Sequence, residues 1–193
     1  MAKTKGPTVL IKKKRWVPII APAMFNEREI GEIHVAEPKD AVGRKVSVSL
    51  MILTGDPQKQ SFQVQFLVKD AVGEKLSTEI LGWELLPSAA RKLMRRNKSK
   101  IEDSFIVKTA DEKTIRIKPI MVTRGRAKGG VVTALRHGLR DGIEKAAVKL
   151  SYEQLIKEFV MKKFQRSIAD GLKKTYPIGI IEIRMFKLIE EKK

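Results

Sequence analysis

Cysteine is absent from the 193 residues. That excludes a disulfide framework, a thiolate metal site and a cysteine nucleophile, and points to a reducing, intracellular setting. Histidine is nearly absent too: His34 and His137 are the whole supply, and neither stands in an HExxH or other paired spacing that would hold a metal. Both read as surface or half-buried structural residues, so proton-transfer and nucleophilic catalysis lack their usual base. No GxxxxGK followed by Ser or Thr and no GxGxxG occurs, so neither nucleotide-binding fingerprint is present. A membrane-spanning helix needs about 18 to 20 apolar residues. The longest apolar run, Val17 to Phe25, is shorter and carries Pro18 and Pro22. The order basic, apolar, Ala21-Pro22-Ala23 imitates a secretory signal, but two prolines would break its helix. An uncleaved, cytoplasmic chain with no membrane partner, no cofactor and no small-molecule substrate is the expectation.

Negative charge is also in short supply. Forty Lys and Arg stand against 22 Asp and Glu, a formal net charge of +18, a self-repulsion that a polyanionic partner would relieve. Three groups carry the excess. The first is Lys12, Lys13, Lys14 and Arg15; the second is Arg91, Lys92, Arg95, Arg96, Lys98 and Lys100. The third is Arg124, Arg126 and Lys128, continued by Arg136 and Arg140. No acid occurs from Lys113 to Arg140. A solvated face explains one such run; three on one chain favour phosphate binding, for which the planar fork of Arg is suited. Gly125, Gly129 and Gly130 accompany the third group, where a flexible connector opens a helix and its N-H groups face outward.

The polyanion is expected to be RNA. No helix pairs a basic face with a Trp- or Phe-rich one, as binding to a membrane surface wants. No zinc finger, basic zipper or helix-turn-helix appears. Aromatics are only 6%, too few for an RNP-type stacking platform, and a GXXG loop is missing. Contact with the backbone and shape of structured RNA remains.

With 42% apolar residues the chain should fold around a real core. Residues 1–15 read as a basic tail that orders on meeting anions. Trp16 to Phe25, spaced by prolines, should lie extended across the body, anchored by its apolar side chains. From about 30 to 123 the period is two: Val46, Val48, Leu50 and Ile52 form one run and Phe62, Val64, Phe66 and Val68 another, with turn residues at 54–57, 70–73 and 110–112. Six or so short strands suggest a small antiparallel β-barrel or sandwich. One basic helix interrupts them at 88–97, with Leu93 and Met94 on its apolar stripe. After Gly130 the period becomes 3.6: Val132, Leu135, Leu139, Ile143, Ala147 and Leu150 share a face. Ser151 and Gln154 form a capping box ahead of a second helix, Ile168 and Leu172 suggest a third, and Ile181, Ile183 and Met185 return the chain to strand. The expected class is α+β: residues 16–123 form a β-barrel body, and 124–193 form a helical segment and late C-terminal strand packed on it, in one structural domain.

Ile20-Ala21-Pro22-Ala23-Met24-Phe25-Asn26, followed by Ile30-Gly31, resembles the archaeal and eukaryotic small-subunit ribosomal protein family S3Ae, called eS1 in the unified naming. The basic tail and Trp before that segment, the strand and turn order, the basic segment after it, and Thr175-Tyr176-Pro177-Ile178 extend the resemblance over nearly the whole chain. It implies a β-barrel core with packed helices, on the platform of the small subunit near the messenger exit and the 3′ end of the small-subunit ribosomal RNA. Neighbouring small-subunit proteins, and messenger RNA near the exit, are the further partners it suggests. The family is not known as an enzyme family. The long C-terminal extension of eukaryotic members is missing, which fits an archaeal form. A free RNA chaperone or ribosome-assembly factor using the same basic surface is the alternative reading.

Overall fold

The structure, a computed structural model, describes residues 13–189; Lys12 and the rest of the basic tail before it lie outside that range. Nine strands and five α-helices follow one another, with three short 3-10 turns between them. The strands are β1 (Arg15–Ile20), β2 (Glu29–Val35), β3 (Lys45–Ser49), β4 (Phe62–Val72), β5 (Lys75–Leu85), β6 (Lys100–Glu102), β7 (Phe105–Lys108), β8 (Thr114–Thr123) and β9 (Ile178–Leu188). The helices are α1 (Leu50–Thr54), α2 (Pro87–Leu93), α3 (Gly129–Lys149), α4 (Tyr152–Val160) and α5 (Lys163–Leu172). This is the expected α+β class with its late strand. The sheet runs in the order β2-β1-β5-β9-β8-β6, with β3 beside β4, β4 also beside β5, and β7 beside β8. It is not closed into the barrel the sequence suggested: the path ends at β2 and β6, which do not pair with each other; within it β1 joins β5 in parallel, Ile19 opposite Leu76, and β9 enters between β5 and β8.

Two compact units can be described separately. The first holds the described residues up to Val46 together with Phe66–Ile80. Val17, Ile19, Val35, Ala41, Val68 and Leu76 form its buried core, and Phe25 meets Phe66 edge to face at 6.1 Å. The stretch 16–25 does not simply drape over a surface. Its first half is β1, paired antiparallel with β2, and strict alternation buries Val17 and Ile19 while turning Trp16 outward.

The second unit holds Ser47–Gln65 and the residues from Leu81 onward. The run Val46 to Ile52 is only partly strand. The hydroxyl of Ser49 accepts the N-H of Met51, capping α1 so that Leu50 and Ile52 become helical. Leu135, Leu139, Ile143 and Ala147 are the buried face of α3, and the Ser151–Gln154 capping box starts α4 as expected. Glycines let α5 approach α3: a Cβ on Gly138 would stand 2.5 Å from Leu172 Cδ2, and one on Gly142 would stand 3.2 Å from Ile168.

β9 organises this unit. Phe186 is fully buried, opposite Trp83 of β5 and Ile117 of β8, with Tyr152 and Phe159 of α4 at ring distances of 5.6 Å. The β8–β9 register slips at Lys118/Pro119, where Lys118 faces Met185 and Pro119 faces Ile183. Arg184 is left over as the bulged residue. Proline supplies no N-H to the ladder, and a bulge is where that loss is tolerated. The bulge moves the buried face from Ile181 and Ile183 before it to Phe186 beyond it; Glu182 is buried on the opposite face, where Lys162 bonds its carboxylate.

The basic helix is shorter than its sequence suggested. α2 ends at Leu93 and buries none of its residues, so Arg95 and Arg96 lie beyond it. Leu93 is only half-buried, which changes its energetic weight. Phe186→Ala should lower stability by about 3–5 kcal/mol, whereas Leu93→Ala should cost less than about 1.5 kcal/mol. Urea midpoints of the two variants measure the difference; equal losses would contradict the assignment of the core to β9.

Candidate nucleic-acid interface

Three segments of the second unit meet around one buried hydroxyl. Thr123, fully buried at the end of β8, accepts the N-H of Ser99 at 2.9 Å. Its own proton can go to the carbonyl of Gly125 at 2.6 Å or of Ser99 at 3.1 Å. The Ser99 hydroxyl in turn accepts the N-H of Ala127 at 3.0 Å, and the N-H of Thr123 donates to the Ser99 carbonyl at 3.0 Å. The third segment joins through Arg124, whose N-H donates to the Pro177 carbonyl at 3.0 Å, and through Tyr176, whose hydroxyl donates to the Arg126 carbonyl at 3.1 Å.

This clasp brings together cations that are far apart in sequence. Lys98 and Lys100 flank Ser99, while Arg124, Arg126 and Lys128 flank the other side of the bonded pair; all but half-buried Lys98 are exposed. Residues 124–128 are also better held than a flexible connector would be. Gly125 fits beneath Tyr176, whose hydroxyl would lie 3.2 Å from a Cβ there.

Arg124 also borders an open cleft of about 450 Å³ between α5 and β9, lined by Lys162, Gln165, Arg166, Lys173 and Glu182 among others. Charge is mixed within it. Lys173 bonds Asp170, and Lys162 bonds the buried carboxylate of Glu182 and sits over the Phe62 ring at 5.5 Å. Arg166 is exposed and extends the positive surface from Arg124. Lys162, Arg166 and Lys173 stand outside the three basic groups of the sequence, although the run from Lys162 to Lys174 holds five cations against one acid.

The remaining expected cations are dispersed. Arg91 and Lys92 are exposed in the last turn of α2, followed by exposed Arg95 and Arg96. Lys100 bonds Glu102 at 2.8 Å. On α3, Arg136 is exposed, but Arg140 is engaged: its Nε donates to Glu144 at 2.9 Å and its guanidinium lies 5.4 Å from the Phe105 ring centroid. The bond from Glu144, and then its charge, raise the Arg140 pKa above the ordinary value. Lys13, Lys14 and Arg15 are exposed in the first unit, where Arg15 bonds Glu74 at 2.6 Å.

Exposed guanidinium and ammonium groups around a bonded backbone form a surface suited to anions. Both histidines are exposed, His34 on β2 and His137 on α3. Among the described residues no group of three or more His, Asp or Glu could hold a metal ion, and no helix is long and apolar enough to cross a membrane.

The family described as the Ribosomal S3Ae family matches residues 5–192. The small ribosomal subunit protein eS1 of Nanoarchaeum equitans is 32% identical over 177 residues, covering 92% of this chain and 89% of that protein. Its counterpart in Methanobrevibacter smithii is 31% identical over 178 residues, 92% of each chain. That of Saccharolobus islandicus is 31% identical over 188 residues, 96% of this chain and 90% of its own.

Removing the Thr123 hydroxyl tests the clasp. Thr123→Val keeps the shape but leaves the half-buried Ser99 N-H without its acceptor, at a cost of about 1 kcal/mol. Amide exchange at Ser99 and Ala127 should then quicken in the free protein, while exchange in α3 stays slow. Fast exchange at Ala127 in the unaltered chain would show that the clasp does not form.

Proposed function

The chain belongs to the Ribosomal S3Ae family, and we propose that it is a structural constituent of the small ribosomal subunit that holds small-subunit ribosomal RNA through phosphate and shape contacts. The observation that carries this reading is the convergence of Lys98, Lys100, Arg124, Arg126 and Lys128 on the Thr123 clasp in a chain of net charge +18. Fixing the backbone first means that the cations meet RNA with only their side chains left to order, which lowers the entropy cost of binding. Arg91, Lys92, Arg95 and Arg96, and Lys12 to Arg15, add contacts elsewhere on the chain. The role is positional, with no catalytic step, as membership of a ribosomal protein family implies.

The finer placement follows the same reading: the platform of the subunit near the messenger exit, in the cytoplasm, with neighbouring small-subunit proteins and messenger RNA within reach. A free chaperone or assembly factor would use the same surface but would not remain in the finished particle. Quantitative mass spectrometry of salt-washed small subunits separates the two, one copy per subunit being the expected result.

Affinity for a small-subunit RNA fragment should fall steeply with salt, by about a thousandfold or more from roughly 50 to 200 mM if about six phosphates are neutralised. Arg124→Ala with Arg126→Ala should lower the slope of log affinity against log salt by about two. Their exposure predicts a melting temperature close to that of the unaltered chain. A flat salt response would remove the electrostatic basis of the proposal.

A further inference from the structure

Trp16 is 65% exposed, while the other tryptophan, Trp83, is 4% exposed in the core. Leaving so large an apolar ring in water has a cost, and the strand geometry does more than leave it there. Trp16 and His34 are direct partners across β1 and β2, and their rings stack with centroids 4.9 Å apart and planes 30° apart. The imidazole covers one side of the indole, so the exposure lies on the other side and the edges. Burial of Val17 and Ile19 on the opposite face holds the ring pointing outward.

We infer that the open face of Trp16 receives one unpaired nucleobase of the bound RNA, with His34 as the rigid backing of the stack. Charge decides between a nucleic acid and a protein as occupant. Exposed Lys13 and Lys14 immediately precede the ring, and residues 1–15 contain six cations and no acid. Glu32 and Glu29 are acids of β2 on the same face, opposite Pro18 and Ile20 farther along β1. An aromatic ring that follows an acid-free basic segment matches a single strand, whose phosphates the cations meet while a base covers the ring. A protein hot spot would instead bring its own apolar surround. One ring does not make a sequence-reading platform, so the contact holds any base by its π-face. The inference rests on the proposed RNA-binding role and adds to it a contact that phosphate recognition does not supply.

The test uses the full chain and two probes: a single-stranded adenylate RNA of about eight nucleotides and an abasic sugar-phosphate oligomer with the same number of phosphates. The adenylate should quench the tryptophan emission and bind about 5- to 150-fold more tightly than the abasic oligomer, the range for one stacked base. Trp83→Phe should keep the quenching. Followed by anisotropy of labelled probes, Trp16→Phe should retain most of the preference and Trp16→Ala should lose it. Equal affinity for the two probes would overturn the stacking site while leaving phosphate binding intact. Absence of binding to either probe at low salt would overturn both. If Trp16→Ala impaired entry into small subunits but kept the adenylate preference, the ring would face a protein and the inference would fall.

Discussion

The second unit depends on the ladder between β8 and β9. β9 pairs with β8 over nearly its whole length and with β5 through Gly82, Trp83 and Glu84. Phe186 then gathers Trp83, Tyr152 and Phe159 around one buried ring. The approach is close: a Cβ on Gly82 would stand 2.0 Å from the Phe186 carbonyl oxygen. The Pro177 end of the same strand holds Arg124, so the cationic clasp borrows its rigidity from this ladder.

Periodicity made the regular parts legible. Phe62, Val64, Phe66 and Val68 alternate in sequence and are buried in the structure; Leu135, Leu139, Ile143 and Ala147 recur at helical spacing and are the buried face of α3. Local hydrogen bonding overrode the pattern where it failed. Ser49 turned a strand-like run into α1, and the bulge opposite Pro119 moved the buried positions of β9 from Ile181 and Ile183 to Phe186. The open sheet was not legible at all, because the parallel β1–β5 contact and the insertion of β9 join residues far apart in sequence.

The candidate interface divides in the same way. Its cations were visible as acid-free runs. Their convergence was not, since it rests on Thr123 and Ser99, two small hydroxyl residues with no distinctive spacing. Lys162, Arg166 and Lys173 escaped notice because Asp170 dilutes their run; only the fold shows that Arg166 and Arg124 border one cleft. Arg140 shows what a charge count leaves out: Glu144 and Phe105 are its neighbours within the fold.

The place of β9 in the sheet also bears on synthesis. A growing chain exposes β5 and β8 before the strand that fits between them has been made, because all three of α3, α4 and α5 intervene. Until then two long, apolar strand edges are open to pairing with the wrong chain. The charge of +18 works in that interval as well, since unfinished copies repel one another. The same cations that suit a polyanion thus protect the nascent chain before there is a fold to present them.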